Sequence, residues 1–155
     1  MNAFQPGAPD SLRDRWVTIT RSLNAPPARV YRAWSAPDEL AGWFPIAVEG
    51  SLAVGATTIL TWHDRRIPID VLEAEPGRIF RFRWPWLADD SYTTEVTVRL
   101  QPHGYGTRLT LTDGPFDLTR AGVLDAYAEA LEGWGEALAG LRAQVDFSVD
   151  IRPDV

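Results

Sequence analysis

Residues 16–44 read WVTITRSLNAPPARVYRAWSAPDELAGWF, and they pass from one structural period to another across a double proline. Val17, Ile19, Arg21 and Leu23 alternate with Trp16, Thr18, Thr20 and Ser22, the two-residue period of a β-strand. Pro26 and Pro27 stop sheet pairing, and Pro27 suits a first helical turn, where a missing N–H does no harm. Val30, Tyr31 and Trp34 then form one face of a short helix. Pro37 breaks it, Ser35 or Asp38 restarts it, and DELAGWF makes a second short helix ending near Gly42.

Downstream, the two-residue period returns. TTILTWH (57–63) turns at DRR into IPIDVLEAE (67–75), which predicts a hairpin. EPGR is a turn leading into IFRFRW (79–84), where Phe80, Phe82 and Trp84 face one way and Arg81 and Arg83 the other. YTTEVTVRL (92–100) follows, and PHGYG closes a hairpin onto TRLTLTD (107–113). Strands so spaced make an antiparallel meander with one wet face.

From Thr119, a plausible N-cap, the period becomes helical. Leu124, Tyr127, Leu131, Trp134, Leu138, Leu141 and Val145 form the predicted apolar stripe, with Asp125, Glu129, Glu132 and Glu136 on the wet side. Gly133, Gly135 and Gly140 each cost about 1 kcal/mol against alanine inside a helix, which points to close approaches or a bend. The tail DFSVDIRPDV is expected to fray or form a short extension. Two short helices after the first strand, a meander and a long closing helix define an α+β fold, with the helix covering the meander's apolar face.

A chain of 155 residues suits one domain, expected over 16–146 between a flexible segment 1–15 and a tail 147–155. It has no cysteine, which excludes disulfides, thiolate metal sites and cysteine nucleophiles. The net charge of −6 and scattered arginines argue against nucleic-acid binding. No run approaches a membrane span and the opening lacks a signal-peptide pattern, so a cytoplasmic, soluble protein is expected. Seven tryptophans are more flat apolar surface than a small core needs, which suggests a cavity or an interface.

Four segments in this order, ITRSLNAPPARVYRAWSAPDELAGWF, VLEAEPGRIFRFRW, TRLTLT and EGWGEALAGLRAQV, resemble the SRPBCC (START-like, helix-grip) superfamily. The resemblance is to its branch of homologues of the Hsp90 ATPase activator, and it covers roughly 16–145. It implies a curved sheet wrapped around the C-terminal helix with an apolar cavity between them. Trp43, Phe44, Gly133 and Trp134 would then lie at the cavity wall or mouth. The superfamily hosts lipid carriers, ring cyclases, hormone receptors and co-chaperone domains. Where the family commonly follows LTLT with histidine or glutamate, this chain has Asp113 and then GPF.

Trp62, Phe80, Phe82, Trp84, Tyr127 and Trp134 are candidates to line a ligand pocket, against the alternative of a filled core. With Trp43, Phe44 and Asp113 they make the candidate ligand-binding set. Asp113 shares a face with Leu109 and Leu111. Pointing inward, it would need a partner or would shift toward its neutral form; as part of TDGP it reads first as an ordinary turn residue. His63 and His103 fall beside turns and read as exposed residues, poor as metal ligands or general bases. Asp70 reads as solvent-facing, and Asp89 and Asp90 as a solvated loop. No metal, cofactor, phosphate loop or nucleophile elbow is indicated.

The leading expectation is a binding protein for an apolar or amphipathic small molecule, as a monomer or homodimer. The second is a co-chaperone-like module with a chaperone partner, and the third a cyclase or dehydratase on a polyketide-like substrate, with Asp113 or Tyr92 as acid or base. The lack of a converging acid, base and nucleophile set counts against the third.

Overall fold

Alternation in the central segments produces a seven-stranded, wholly antiparallel sheet in the computed structural model, which describes residues 12–88 and 90–153. The strands are β1 (Arg15–Leu23), β2 (Ala47–Glu49), β3 (Thr57–Thr61), β4 (Arg66–Glu75), β5 (Ile79–Pro85), β6 (Thr93–His103) and β7 (Gly106–Phe116). Their order across the sheet is β1-β7-β6-β5-β4-β3-β2, so the meander closes by bringing β1 back beside β7. Two short helices, α1 (Pro27–Ser35) and α2 (Pro37–Leu40), fill the connection from β1 to β2, and α3 (Val123–Phe147) lies across the sheet. This is the helix-grip α+β architecture.

The prolines act as their chemistry requires. Pro27 and Pro37 each open a helix, where no N–H partner is needed, and Ala36 between them is extended. Val17, Val71, Phe80, Phe82, Val96, Val98, Leu109 and Leu111 are all buried on the inner face of the sheet, as the alternation predicts. Of the expected flexible start, residues 1–11 lie outside the described residues.

Three expectations about the closing helix need correction. Its buried stripe is Val123, Ala126, Ala130, Trp134, Leu138 and Leu141, whereas Leu124 and Leu131 are 59% and 43% exposed. Alanine at two successive turns lets the backbone approach the sheet more closely than leucine would, and the helix rotates accordingly. Thr119 is not the N-cap. It bonds to Asp117 through its amide and hydroxyl, while Gly122, at φ 83°, precedes the first helical residue. Nor do all three helical glycines mark close approaches. A Cβ at Gly140 would stand 3.4 Å from the Trp43 carbonyl, but one at Gly133 or Gly135 would meet nothing within 4 Å.

The tail is tied down rather than frayed. Ser148 ends the helix in the left-handed conformation. The Arg152 guanidinium then donates to the carbonyls of Pro45 (2.8 Å) and Ala41 (3.0 Å) and to Asp150 (2.8 Å). This folds residues 150–153 back against the α2–β2 connection.

Candidate functional site

Between α3 and the β2–β5 half of the sheet lies a pocket of about 670 Å³. Six aromatic side chains line it: Trp43 and Phe44 from the turn after α2, Trp62 from the end of β3, Trp84 and Trp86 from β5 and its extension, and Trp134 from α3. The rings brace one another. Phe44 stacks on Trp134 at 5.2 Å, Trp84 lies 5.2 Å from Trp134, and the edge-on pairs Phe44–Trp62 and Trp84–Trp86 stand at 5.1 and 5.4 Å. Ala130, Gly133 and Ala137 line the helix side. The small side chains, and the open space where a Gly133 Cβ would stand, leave the volume free.

Five of the nine residues expected at a ligand site thus come together: Trp43, Phe44, Trp62, Trp84 and Trp134. The other four lie outside the pocket wall. Phe80 and Phe82 are buried deeper in the core, with Phe80 edge-on to Tyr31. Tyr127 packs on Phe116 at 5.4 Å.

Asp113 is a further correction. It is no turn residue but the eighth position of β7, fully buried behind Trp134. Its Oδ2 accepts from Trp134 Nε1 (2.9 Å) and its Oδ1 from the Thr94 hydroxyl (2.5 Å). Thr94 Oγ1 in turn accepts from Trp86 Nε1 (2.7 Å). Trp84 Nε1 is buried without a hydrogen-bond partner of good geometry, yet stands near enough to Asp113 to favour its charged form. One carboxylate therefore holds Trp134 directly and Trp86 through a hydroxyl. Burial outweighs the donors and pushes the Asp113 carboxyl up to about 6.

The rim is polar. His63, Arg65, Arg66, Asp90, Glu129, Glu136 and Arg152 surround the opening, and Ile151 and Pro153 of the tail border it. Arg65 bonds Glu129 at 3.1 Å and stands 5.5 Å above the Trp62 ring. His63 is exposed, as its turn position predicts, but it borders the pocket. His103 ends β6 and Asp70 is an exposed residue of β4, and neither lines the pocket. Asp89 lies outside the described residues. Tyr92 staples the chain after β7: its hydroxyl donates to the Pro115 carbonyl (2.8 Å) and accepts from the Asp117 amide (2.7 Å). Among the described residues no group of three His, Asp or Glu side chains is placed to hold a metal, and no helix is long and apolar enough to cross a membrane.

Sequence reasoning missed Trp86, the charged rim and the tail. Trp86 was accessible, since it continues the Phe80, Phe82, Trp84 alternation by one more step. Arg152 carries no signal, because its partners are backbone carbonyls more than a hundred residues away in the chain.

A curved antiparallel sheet gripping a C-terminal helix around an aromatic pocket defines a START-like protein of the SRPBCC superfamily. Residues 24–146 match the family described as activator of Hsp90 ATPase homolog 1-like protein, and the chain belongs to that family. No curated protein matches the chain in sequence. Among solved structures, a protein from Mesorhizobium loti is 25% identical over 83% of this chain and 94% of its own, with a TM-score of 0.74. A putative protein of the dynemicin biosynthetic locus is 26% identical over 91% of this chain and 51% of its own, with a TM-score of 0.77. The Aha1 dimer from Colwellia psychrerythraea shares the fold at 17% identity, with a TM-score of 0.74 over 85% of this chain and 96% of its own.

Proposed function

We propose that this protein binds an apolar or amphipathic small molecule in the pocket between the sheet and α3. The pocket itself carries the reading. Its 670 Å³ falls within the ~300–1,000 Å³ typical of small-molecule sites, and its aromatic wall under a polar rim is the usual composition of such sites. The likeness to a protein from a natural-product biosynthetic locus points the same way. Binding is driven by burial of ligand carbon against indole and phenyl surface, and the rim orients the ligand's polar end.

The two groups considered for acid–base chemistry do not reach the pocket. Asp113 is sealed behind Trp134, and both hydrogen-bonding functions of the Tyr92 hydroxyl are committed to backbone. A chaperone-partner role has a different footing: family membership, with Leu124 and Leu131 exposed seven residues apart on the outer side of α3. The test is titration of intrinsic tryptophan fluorescence with fatty acids, flavonoids and tricyclic aromatics, comparing the wild type with Gly133→Leu, which adds a bulky side chain to the pocket lining. Saturable quenching lost in Gly133→Leu is the expected result. Failure of every compound to bind, with Leu124→Glu/Leu131→Glu disrupting a chaperone complex, would transfer the function to the helix's outer face.

A further inference from the structure

The polar groups around the pocket are unevenly committed. Of the tryptophans in its wall, Trp134 gives its N–H to Asp113, Trp86 to Thr94 and Trp43 to the Ala33 carbonyl at 2.9 Å, and Trp84 Nε1 is buried. Four of the five wall indoles therefore offer the cavity carbon and π-electrons but no donor, and the fifth, half-buried Trp62, is the one whose face the Arg65 guanidinium already covers. The guanidinium groups on the rim are each neutralised: Arg65 by Glu129 (3.1 Å), Arg66 by Glu49 (2.8 Å) and Arg152 by Asp150 (2.8 Å). The remaining acidic groups, Asp90 and Glu136, have no side-chain partner among the described residues. The rim thus carries two negative charges in excess over an electron-rich aromatic wall.

From this imbalance we infer that the ligand is a flat aromatic cation or an amine-bearing aromatic, held with its rings among the indoles and its positive charge toward Glu136. The inference rests on the pocket reading above and narrows it to a chemical class. Aromatic faces attract cations through their quadrupole, most strongly where water is excluded, and tryptophan does so best. The protein already seats one cation this way, with the Arg65 guanidinium 5.5 Å above Trp62 at the pocket's edge. A neutral ring system would gain only the burial. An anionic one would find every rim arginine paired and would meet two uncompensated carboxylates. The net charge of −6 adds long-range attraction for a cation.

The test uses three probes of one tricyclic shape: N-methylacridinium, acridine and acridine carboxylate, titrated by calorimetry in mildly alkaline, low-salt buffer. The cation is expected to bind roughly tenfold more tightly than acridine, with the carboxylate weakest. Glu136→Gln lies on the exposed side of α3, so the fold is retained. It should lower the cation's advantage to about threefold and leave acridine unchanged. Gly133→Leu should abolish binding of both while circular dichroism stays native. If acridine binds as tightly as the cation, or the carboxylate binds best, the ligand class is wrong and the pocket reading stands. If no probe binds, this inference is overturned, and the pocket reading is decided separately by the fatty-acid and flavonoid titrations. If the cation still binds folded Gly133→Leu, its site lies elsewhere and the inference is overturned.

Discussion

Replacing Asp113 with asparagine should alter how stability depends on pH, in a direction opposite to that of an ordinary paired carboxylate. The native carboxyl is pushed from 3.8 to about 6 because burial disfavours its charge more than Thr94, Trp134 and Trp84 favour it. In the unfolded chain it titrates near its usual value. Between about pH 4 and 6 the native state therefore holds more protons than the unfolded state, so stability falls as pH rises. The stabilisation is complete below about pH 4 and lost above about pH 6, and two pK units correspond to about 3 kcal/mol. Asparagine keeps the shape and does not titrate. The measurement is urea unfolding of both proteins from pH 4 to pH 8, taking the difference in free energy at each pH. Glu49, Asp117 and Asp150, whose pKa values are lowered by their donors, destabilise both proteins alike at low pH and cancel in that difference. Relative to wild type, Asp113→Asn should gain about 3 kcal/mol between pH 4 and pH 7. A difference that stays flat, or that runs the other way, would refute the account of Asp113 as a carboxyl held against its desolvation cost.

Asp113→Ala leaves the Trp134 N–H and the Thr94 hydroxyl without their acceptor in a sealed core, and should lower stability by about 3–5 kcal/mol in urea unfolding at neutral pH. Gly133→Ala and Gly135→Ala place a Cβ in open space on a helix, and each should raise stability by about 0.5–1 kcal/mol as measured by thermal unfolding. Of the two sites, only Gly133 enlarged to leucine should abolish ligand binding, because only Gly133 lines the pocket. Arg152→Ala removes the donors to the Ala41 and Pro45 carbonyls; amide exchange over residues 149–152 should accelerate, with a global loss of about 1–2 kcal/mol. Tyr92→Phe strips both bonds that tie the end of β7 to β6 and should cost about 1–2 kcal/mol, seen as a lower urea midpoint at unchanged slope.

The fold was legible because its determinants are local. Alternation over Phe80, Phe82 and Trp84 specifies which side of β5 is dry, and Pro27 and Pro37 specify where helices can begin, whatever the rest of the chain does. The rotation of α3 was not local in this sense. Leucine outranks alanine in any reading of hydrophobicity, so the sequence pattern places the stripe through Leu124 and Leu131. Packing against a sheet selects instead for the small surface of Ala126 and Ala130 beside Trp134. The β2 strand escaped for a related reason, since three residues are too few to show a period and it stands at the edge of the sheet beside β3.

The site was legible only in its aromatic part, and Asp113 shows why. As text, Thr-Asp-Gly-Pro is a turn; in the sheet it is the continuation of β7, paired with Val17 on one side and Val96 on the other. A carboxylate there is unfavourable on its own, and is tolerated because an indole from α3 and a hydroxyl from β6 converge on it. Those partners lie 21 and 19 residues away in the chain, so no window around Asp113 contains them. The same bonds decide what the pocket can bind. Each indole N–H turned toward Asp113 or Thr94 is a donor withdrawn from the cavity, and each arginine paired at the rim is a positive charge withdrawn from the mouth. An aromatic tally from the sequence predicts an apolar pocket. The pattern of committed donors predicts a pocket that discriminates by charge, and the acridine series separates the two.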